Sequence, residues 1–452
     1  MVRYRRRRPV ALALLAPFAM AIAALAPAAA PASAATRVIE LVTPAGFRVW
    51  MVREASIPIV SVEIAFRGGS ELDPPGKEGL SRMAAALMDE GAGEYDGLAF
   101  QRRLEEFSVS LSFSAERDTF RVSLRTLSEN RDEAFRLLGV ALGAPRFEAS
   151  AVERIRGQLL ADVSRRNEDS DFIAAKTWYA KAFPEHPYGR SSRGEPETIR
   201  AITVADLHAF AAARFARGEV MIGAVGDIEP AALGALIDRS LAALPPPAAA
   251  TAVAVADVSV RTPGSLTVIR RKSPQSRVFL GLPGVKRSDP DYYAAYVMNY
   301  VLGGGGFTSR LYQEVREKRG LAYSVYSYLT TFRHAGLVMG GFATVNDRVA
   351  EALNLYKQEI ARLAADGISE AELTDAKTYL TGSFPLRLDS NAKIAGNLLG
   401  MQVEGLGIDF LDKRNDYINA VTIADVRRVA SRILKLDDMT VVVVGDPQGL
   451  AP

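Results

Sequence analysis

The most regular feature of the chain is a pattern of apolar and polar positions that occurs twice. Residues 59–66 alternate with a strand period and lead through a Gly-, Pro- and Asp-bearing loop at 68–76. An amphipathic run follows and predicts a helix from Gly79 to Asp89 or Glu90. Helices are then expected over 97–107, 129–143 and 148–182, with strands near 108–115 and 118–126. The later chain repeats the order: a strand at 277–282, helices at 289–302 and 309–319, strands at 322–330 and 335–343, and helices at 346–365 and 369–381.

The repetition extends to individual residues. Ile199, Ala201, Ile202, Thr203, Val204, Ala205, Asp206 and Leu207 face Ile418, Ala420, Val421, Thr422, Ile423, Ala424, Asp425 and Val426 at a constant offset of 219, and the same offset carries Val225-Gly226-Asp227 onto Val444-Gly445-Asp446. A fixed offset over such a distance signals duplication. Thr203 and Thr422 read as N-caps, each with an Asp three residues on to meet the free amides of the first turn. Each helix leads to an apolar strand, 220–225 in one copy and 440–444 in the other. These elements predict an α+β protein of two homologous domains, 35–244 and 265–452, each a mixed or antiparallel sheet with helices packed on it. A Pro- and Ala-rich linker at 245–264 joins them.

Composition alters this picture mainly at the N-terminus. Arg3 and Arg5 to Arg8 precede an apolar run to about Ala29, and Ala32-Ser33-Ala34 offers an A-x-A cleavage site, so residues 1–34 read as a signal peptide of an exported, periplasmic protein. A twin-arginine signal or a retained anchor is the alternative. Removing these five arginines from 55 basic residues leaves 50 against 52 acidic ones, a formal charge of −2, so the apparent basicity belongs to the leader. Nothing in the remainder suggests a nucleic-acid-binding face or a membrane span. The chain has no cysteine, which excludes thiol catalysis and cysteine-based zinc sites.

The order of strand, loop, Gly79-Leu80-Ser81 and helix resembles the inverted zinc-protease family M16, which includes pitrilysin, insulin-degrading enzyme and the mitochondrial processing peptidase. The resemblance covers essentially the whole mature chain and implies the LuxS/MPP-like metallohydrolase fold. Active members carry H-x-x-E-H on the helix after the Gly-Leu, with two His as zinc ligands and the Glu activating a water. Here the His positions fall on Arg82 and Ala86, the Glu position on Ala85, and the distal acid on Asp162. One carboxylate beside an arginine cannot hold zinc, and pairing of Asp162 with Arg82 is the structural alternative. His186, His208 and His334 are far apart in sequence and read as structural or solvated imidazoles, so no metal or other cofactor is expected on this chain.

The second half keeps what the first has lost. The run SRLYQEVREKRGLAYSV at 309–325 closely resembles the corresponding family segment, whose Arg and Tyr seven positions apart fall on Arg316 and Tyr323. By that resemblance the pair reaches substrate at the zinc site of the catalytic half, where guanidinium and phenol donors suit the charge that develops on a peptide carbonyl. Taken alone, each could equally be a solvated helix charge or a strand aromatic. Gly304, Gly305 and Gly306, in the run that begins at Gly303, resemble the glycine-rich loop of the non-catalytic processing subunit, where it is associated with substrate; a sharp helix-to-helix turn is the equal alternative. The resemblance implies a heterodimer in which a homologous H-x-x-E-H subunit holds the zinc and this chain supplies Arg316 and Tyr323 in trans to a peptide substrate. A non-catalytic peptide-binding or scaffolding protein is the alternative, and an independent hydrolase with unfamiliar ligands a third.

Overall fold

The computed structural model describes residues 37–246, 255–260 and 264–450. The expected signal peptide lies outside the described residues, as do 247–254 and 261–263 of the expected linker. Among the described residues no helix is long and apolar enough to cross a membrane.

The strands are β1 (Ile39–Val42), β2 (Arg48–Arg53), β3 (Ile59–Arg67), β4 (Gly91–Ala92), β5 (Tyr95–Asp96), β6 (Ser110–Ala115), β7 (Thr119–Leu127), β8 (Val220–Gly226), β9 (Ser265–Arg270), β10 (Gln275–Pro283), β11 (Val325–Thr331), β12 (Gly336–Val345) and β13 (Thr440–Gly445). One sheet has the order β1-β2-β8-β3-β7-β6 and the other β11-β12-β10-β13-β9, while β4 and β5 form a small ribbon. Read from β6 to β2, the first sheet reproduces the second from β11 to β9. Both contain one parallel pair, β2 with β8 and β9 with β13, in an otherwise antiparallel sheet; β9 is an edge, while β1 adds antiparallel outside β2. Gly226 and Gly445, related by the offset of 219, hold φ of 153° and 154°. A Cβ at Gly226 would overlap the Ile59 carbonyl and one at Gly445 the Ser276 side chain, so both turns require glycine. The capping boxes at Thr203/Asp206 and Thr422/Asp425 form as expected.

Each sheet has one face covered by helices of its own half, giving the two main cores. The other face is covered by the opposite half. The stretch 148–182, expected as one helix, breaks into Ala149–Arg166 and Ser170–Ala182. Asp169 caps the second piece by accepting from the Asp171 amide at 2.9 Å. The break sends Ser170–Ala182 across to β10 and β13 of the second sheet. There the Trp178 indole N–H donates to the Thr440 carbonyl at 3.0 Å, and its buried ring lies over Gly281. In return the helix Asn391–Val403, which the sequence pattern does not single out, covers β8, β3 and β2 of the first sheet. Ala395 and Leu398 pack with Trp50, Val52 and Val225, and a Cβ on Gly223 would come within 2.9 Å of the Leu399 amide nitrogen. This exchange explains why β3 is buried on both faces despite its alternating pattern.

The junction between the halves holds buried ionisable groups. Glu71 is 3 % exposed, and its carboxylate lies 3.6 Å from His334 Nε2, with Asp118, Arg214 and Arg333 around it. His334 Nδ1 is 3.1 Å from Asp257, and His186 Nε2 meets the Ala256 carbonyl at 3.0 Å. The two imidazoles, far apart in sequence, stand with ring centroids 6.3 Å apart, because the turn after β11 packs against the loop after Ser170–Ala182. His208 stays separate, edge-on to Phe147.

Burial pushes Glu71 up to about 8 and Asp73 up to about 6. Glu71 therefore remains protonated in the folded chain after the unfolded chain ionises near its ordinary 4.5. Its contribution to stability is complete below that pH and is lost as pH rises towards about 8. His186, whose pKa burial lowers, acts oppositely and loses its contribution as pH falls below 6.5. Glu71→Gln, which keeps a neutral side chain of the same shape, is expected to remove a few kcal/mol of this alkaline-side loss in denaturant titrations at several pH values. Parallel stability curves for the two proteins would disprove it.

Candidate functional site

Two places in the fold correspond to the site residues expected from sequence. The first begins at Gly79, whose φ of 95° turns the chain into the helix Leu80–Ala85. Asp73 caps this start by accepting from the amides of Gly79 at 2.9 Å and Ser81 at 3.0 Å. The helix is shorter than the 79–90 expected. After Ala85 the chain tightens into three-residue turns, with the Leu87 amide donating to Ala84 at 3.0 Å and that of Glu90 to Leu87 at 3.1 Å. Ala85 is buried in the core and Ala86 packs against it, so neither position projects a ligand.

Arg82 does project, and it meets Asp162 from the helix Ala149–Arg166. Its Nη2 donates to Asp162 Oδ2 at 2.7 Å, Arg166 Nε donates to the same oxygen at 3.1 Å, and Arg165 Nη2 reaches Oδ1 at 3.4 Å. Arg193 stands 3.8 Å away. Burial works against ionisation of Asp162, but the hydrogen bonds from Arg82 and Arg166 outweigh it and hold the pKa below the ordinary carboxylate value. These residues do not fit zinc, because four guanidiniums surround the single carboxylate where a cation would need at least three donors. Among the described residues no group of three His, Asp or Glu side chains could hold a metal.

The second place lies on the helix that carries Arg316. The preceding helix Tyr292–Asn299 ends in a widened turn, Tyr300–Gly304, in which the Gly305 amide reaches the Tyr300 carbonyl at 2.8 Å. A Cβ at Gly303 would come within 2.5 Å of the Ser327 amide, one at Gly304 within 2.7 Å of Asn299, and one at Gly305 within 2.8 Å of the Tyr300 carbonyl. Gly306 has open space but a φ of 58°. Close packing and backbone conformation thus demand the glycines, and they leave Phe307 71 % exposed at the tip.

Ser309 opens the next helix, which widens again over Tyr312–Glu317. Arg310 anchors it by donating twice to Glu372, at 2.6 and 2.8 Å. Lys318 and Arg319 both pair with Glu314. Arg316 differs in having no carboxylate partner among the described residues. It donates to the Tyr312 hydroxyl, and its Cζ lies 4.7 Å from the Tyr312 ring centroid, 4.8 Å from that of Tyr323 and 6.0 Å from that of Phe307. Gly320, at a φ of 59°, ends the helix as expected, with its amide donating to the Arg316 carbonyl at 2.8 Å. The strand begins at Val325 rather than 322, so Tyr323 sits in irregular chain before it, 83 % exposed and, among the described residues, with no hydrogen bond to its hydroxyl.

The structure therefore brings Arg316 and Tyr323 together and adds Phe307 and Tyr312, which the sequence reading passed over. The available signals were an aromatic four residues before Arg316, on the same helix face, and another directly after the glycines. The set presents a cation framed by aromatic rings and a free phenol, suited to gripping an extended backbone and donating to a carbonyl oxygen.

Two matching sheet-and-helix halves, one with a disabled metal helix and the other with a half-buried arginine set against an exposed tyrosine, define an inactive-type member of a duplicated metallopeptidase fold. Residues 48–195 match insulinase (peptidase family M16), residues 201–380 match the peptidase M16 inactive domain, and the chain belongs to the M16 family. A solved peptidase M16 inactive domain from Pseudomonas fluorescens is 31 % identical, with a TM-score of 0.86 over 92 % of this chain and 99 % of that one. A Helicobacter pylori protein named non-peptidase homolog YmxG is 27 % identical over 86 % of this chain and 90 % of its own length. A probable mitochondrial-processing peptidase subunit beta from Schizosaccharomyces pombe is 26 % identical over 86 % of this chain and 87 % of its own.

Proposed function

We propose that this chain is the non-zinc subunit of an exported, two-subunit M16 peptidase, and that it lends Arg316 and Tyr323 to a zinc site on a homologous partner bearing H-x-x-E-H. The observation that carries this reading is the contrast between the two places. Guanidiniums occupy the metal position, while the half-buried Arg316 and the exposed Tyr323 beside it have no metal site of their own to serve among the described residues. Hydrolysis of a peptide places negative charge on the carbonyl oxygen, and a preorganised phenol O–H and guanidinium stabilise it without reorganising. The substrate is an extended peptide held between the two subunits, the zinc is the partner's, and the leader at 1–34 directs the chain to the periplasm.

The test is reconstitution with an exported H-x-x-E-H homologue from the same genome. Each chain alone is expected to leave an unfolded peptide intact and the mixture to cleave it, with zinc following the partner in elemental analysis. A mixture that binds peptide and never cleaves it favours the scaffold reading, which the exposed aromatic surface of Phe307 and Tyr323 also supports. Near-stoichiometric zinc on this chain alone, with chelator-sensitive activity, would reject both.

A further inference from the structure

The charge around Asp162 is unbalanced in a way that points to a ligand. Arg82, Arg165, Arg166 and Arg193 come from three separate segments and converge on one carboxylate, four positive charges against one negative. The neighbouring acids do not compensate, since Glu78 lies with Arg190 at 3.6 Å and Glu195 with Lys176 at 2.7 Å. Arg82 Nη1 is buried without an acceptor. Arg193 lies beyond hydrogen-bond reach of Asp162, and burial together with repulsion from Arg82 and Arg166 lowers its pKa. Guanidiniums crowded in this way bind a second anion readily, because their planar donors suit a carboxylate and partial burial limits screening by salt. The helix Leu80–Ala85, which carries Arg82, packs beside β6, the open edge of the first sheet with Ser110, Ser112 and Ser114 exposed.

We infer that the disabled metal position is an anion site, which takes the carboxylate of an acidic residue in an extended peptide. The inference rests on the peptide-binding part of the proposed function but not on a zinc-bearing partner, so it is tested on this chain alone and by binding rather than cleavage.

The probe is a fluorescent unstructured peptide with one central Glu, measured by anisotropy beside the same peptide with Gln and in competition with inorganic phosphate. The Glu peptide is expected to bind about tenfold more tightly, the scale of one charge-assisted hydrogen bond. Arg193→Gln combined with Arg165→Gln, both outer members of the cluster, should abolish that preference. Asp162→Asn removes the resident competitor and should strengthen binding of the Glu peptide, whereas a residual metal-ligand role predicts no such gain. Equal affinity for the Glu and Gln peptides overturns the inference, as does a preference that survives the double substitution. Phosphate binding without any peptide preference shows an adventitious ion only and overturns it equally. Failure here leaves cleavage by the reconstituted pair unaffected, and failure of reconstitution leaves this binding unaffected.

Discussion

Tyr323→Phe in the reconstituted peptidase is expected to lower kcat by on the order of a hundredfold, about 3 kcal/mol, with a smaller change in KM. The substitution removes one hydroxyl from a side chain that is 83 % exposed and has no hydrogen bond among the described residues, so the folded subunit should not register the loss. The cost arises only if the phenol meets the developing oxyanion. Arg316→Lys preserves charge but gives up the planar face that stands between the Tyr312 and Tyr323 rings, 4.7 and 4.8 Å from their centroids. It should impair catalysis as well, and raise KM where Arg316 also grips the ground-state backbone. Steady-state kinetics beside measurements of subunit association and zinc content provide the check. Wild-type rates in both variants, with normal assembly, would remove the in-trans role and leave peptide capture as the better account.

The second large effect concerns the exchanged helices. Trp178→Ala should destabilise the protein by about 3–5 kcal/mol, because it opens a cavity where a fully buried ring fills the space between two halves and loses the bond to the Thr440 carbonyl. A Cβ at Gly281 would overlap the Trp178 ring and approach Met339 Sδ at 2.7 Å, so Gly281→Val alone is also costly. The double variant should be less unstable than the sum of the two, since the valine grows into the space the indole vacates. Urea unfolding of the four proteins measures this, and strict additivity or a loss below about 1 kcal/mol for Trp178→Ala would show that the interlock is not a principal support. Because each half covers a sheet face of the other, the wild-type chain is expected to unfold in one transition rather than two.

Local chemistry made much of this legible beforehand. The capping boxes at Thr203 and Thr422 and the loss of the ligands at Arg82, Ala85 and Ala86 each depend on residues within a few positions of one another, and the duplication shows as such short motifs recurring at one offset. Helix and strand periods recovered most of the elements. They failed where packing overrides local preference: the run 148–182 reads as continuous, yet Asp169 caps a fresh helix because the chain must cross to the other sheet.

The sequence by itself determined the class of fold and its two-fold repetition, through element periods and short motifs recurring at one offset, and its family resemblance pointed to the disabled metal helix and to Arg316 and Tyr323. Only the tertiary structure decided the rest. Helix Ser170–Ala182 covers the opposite sheet, His186 and His334 meet at the junction, Phe307 and Tyr312 frame Arg316, and four arginines close on Asp162. Arg82 and Asp162 are 80 positions apart, and Trp178 and Thr440 are 262 apart. Periodicity reports which face of an element is apolar, but which two faces meet is settled by how whole layers pack, and that choice is made across the full length of the chain.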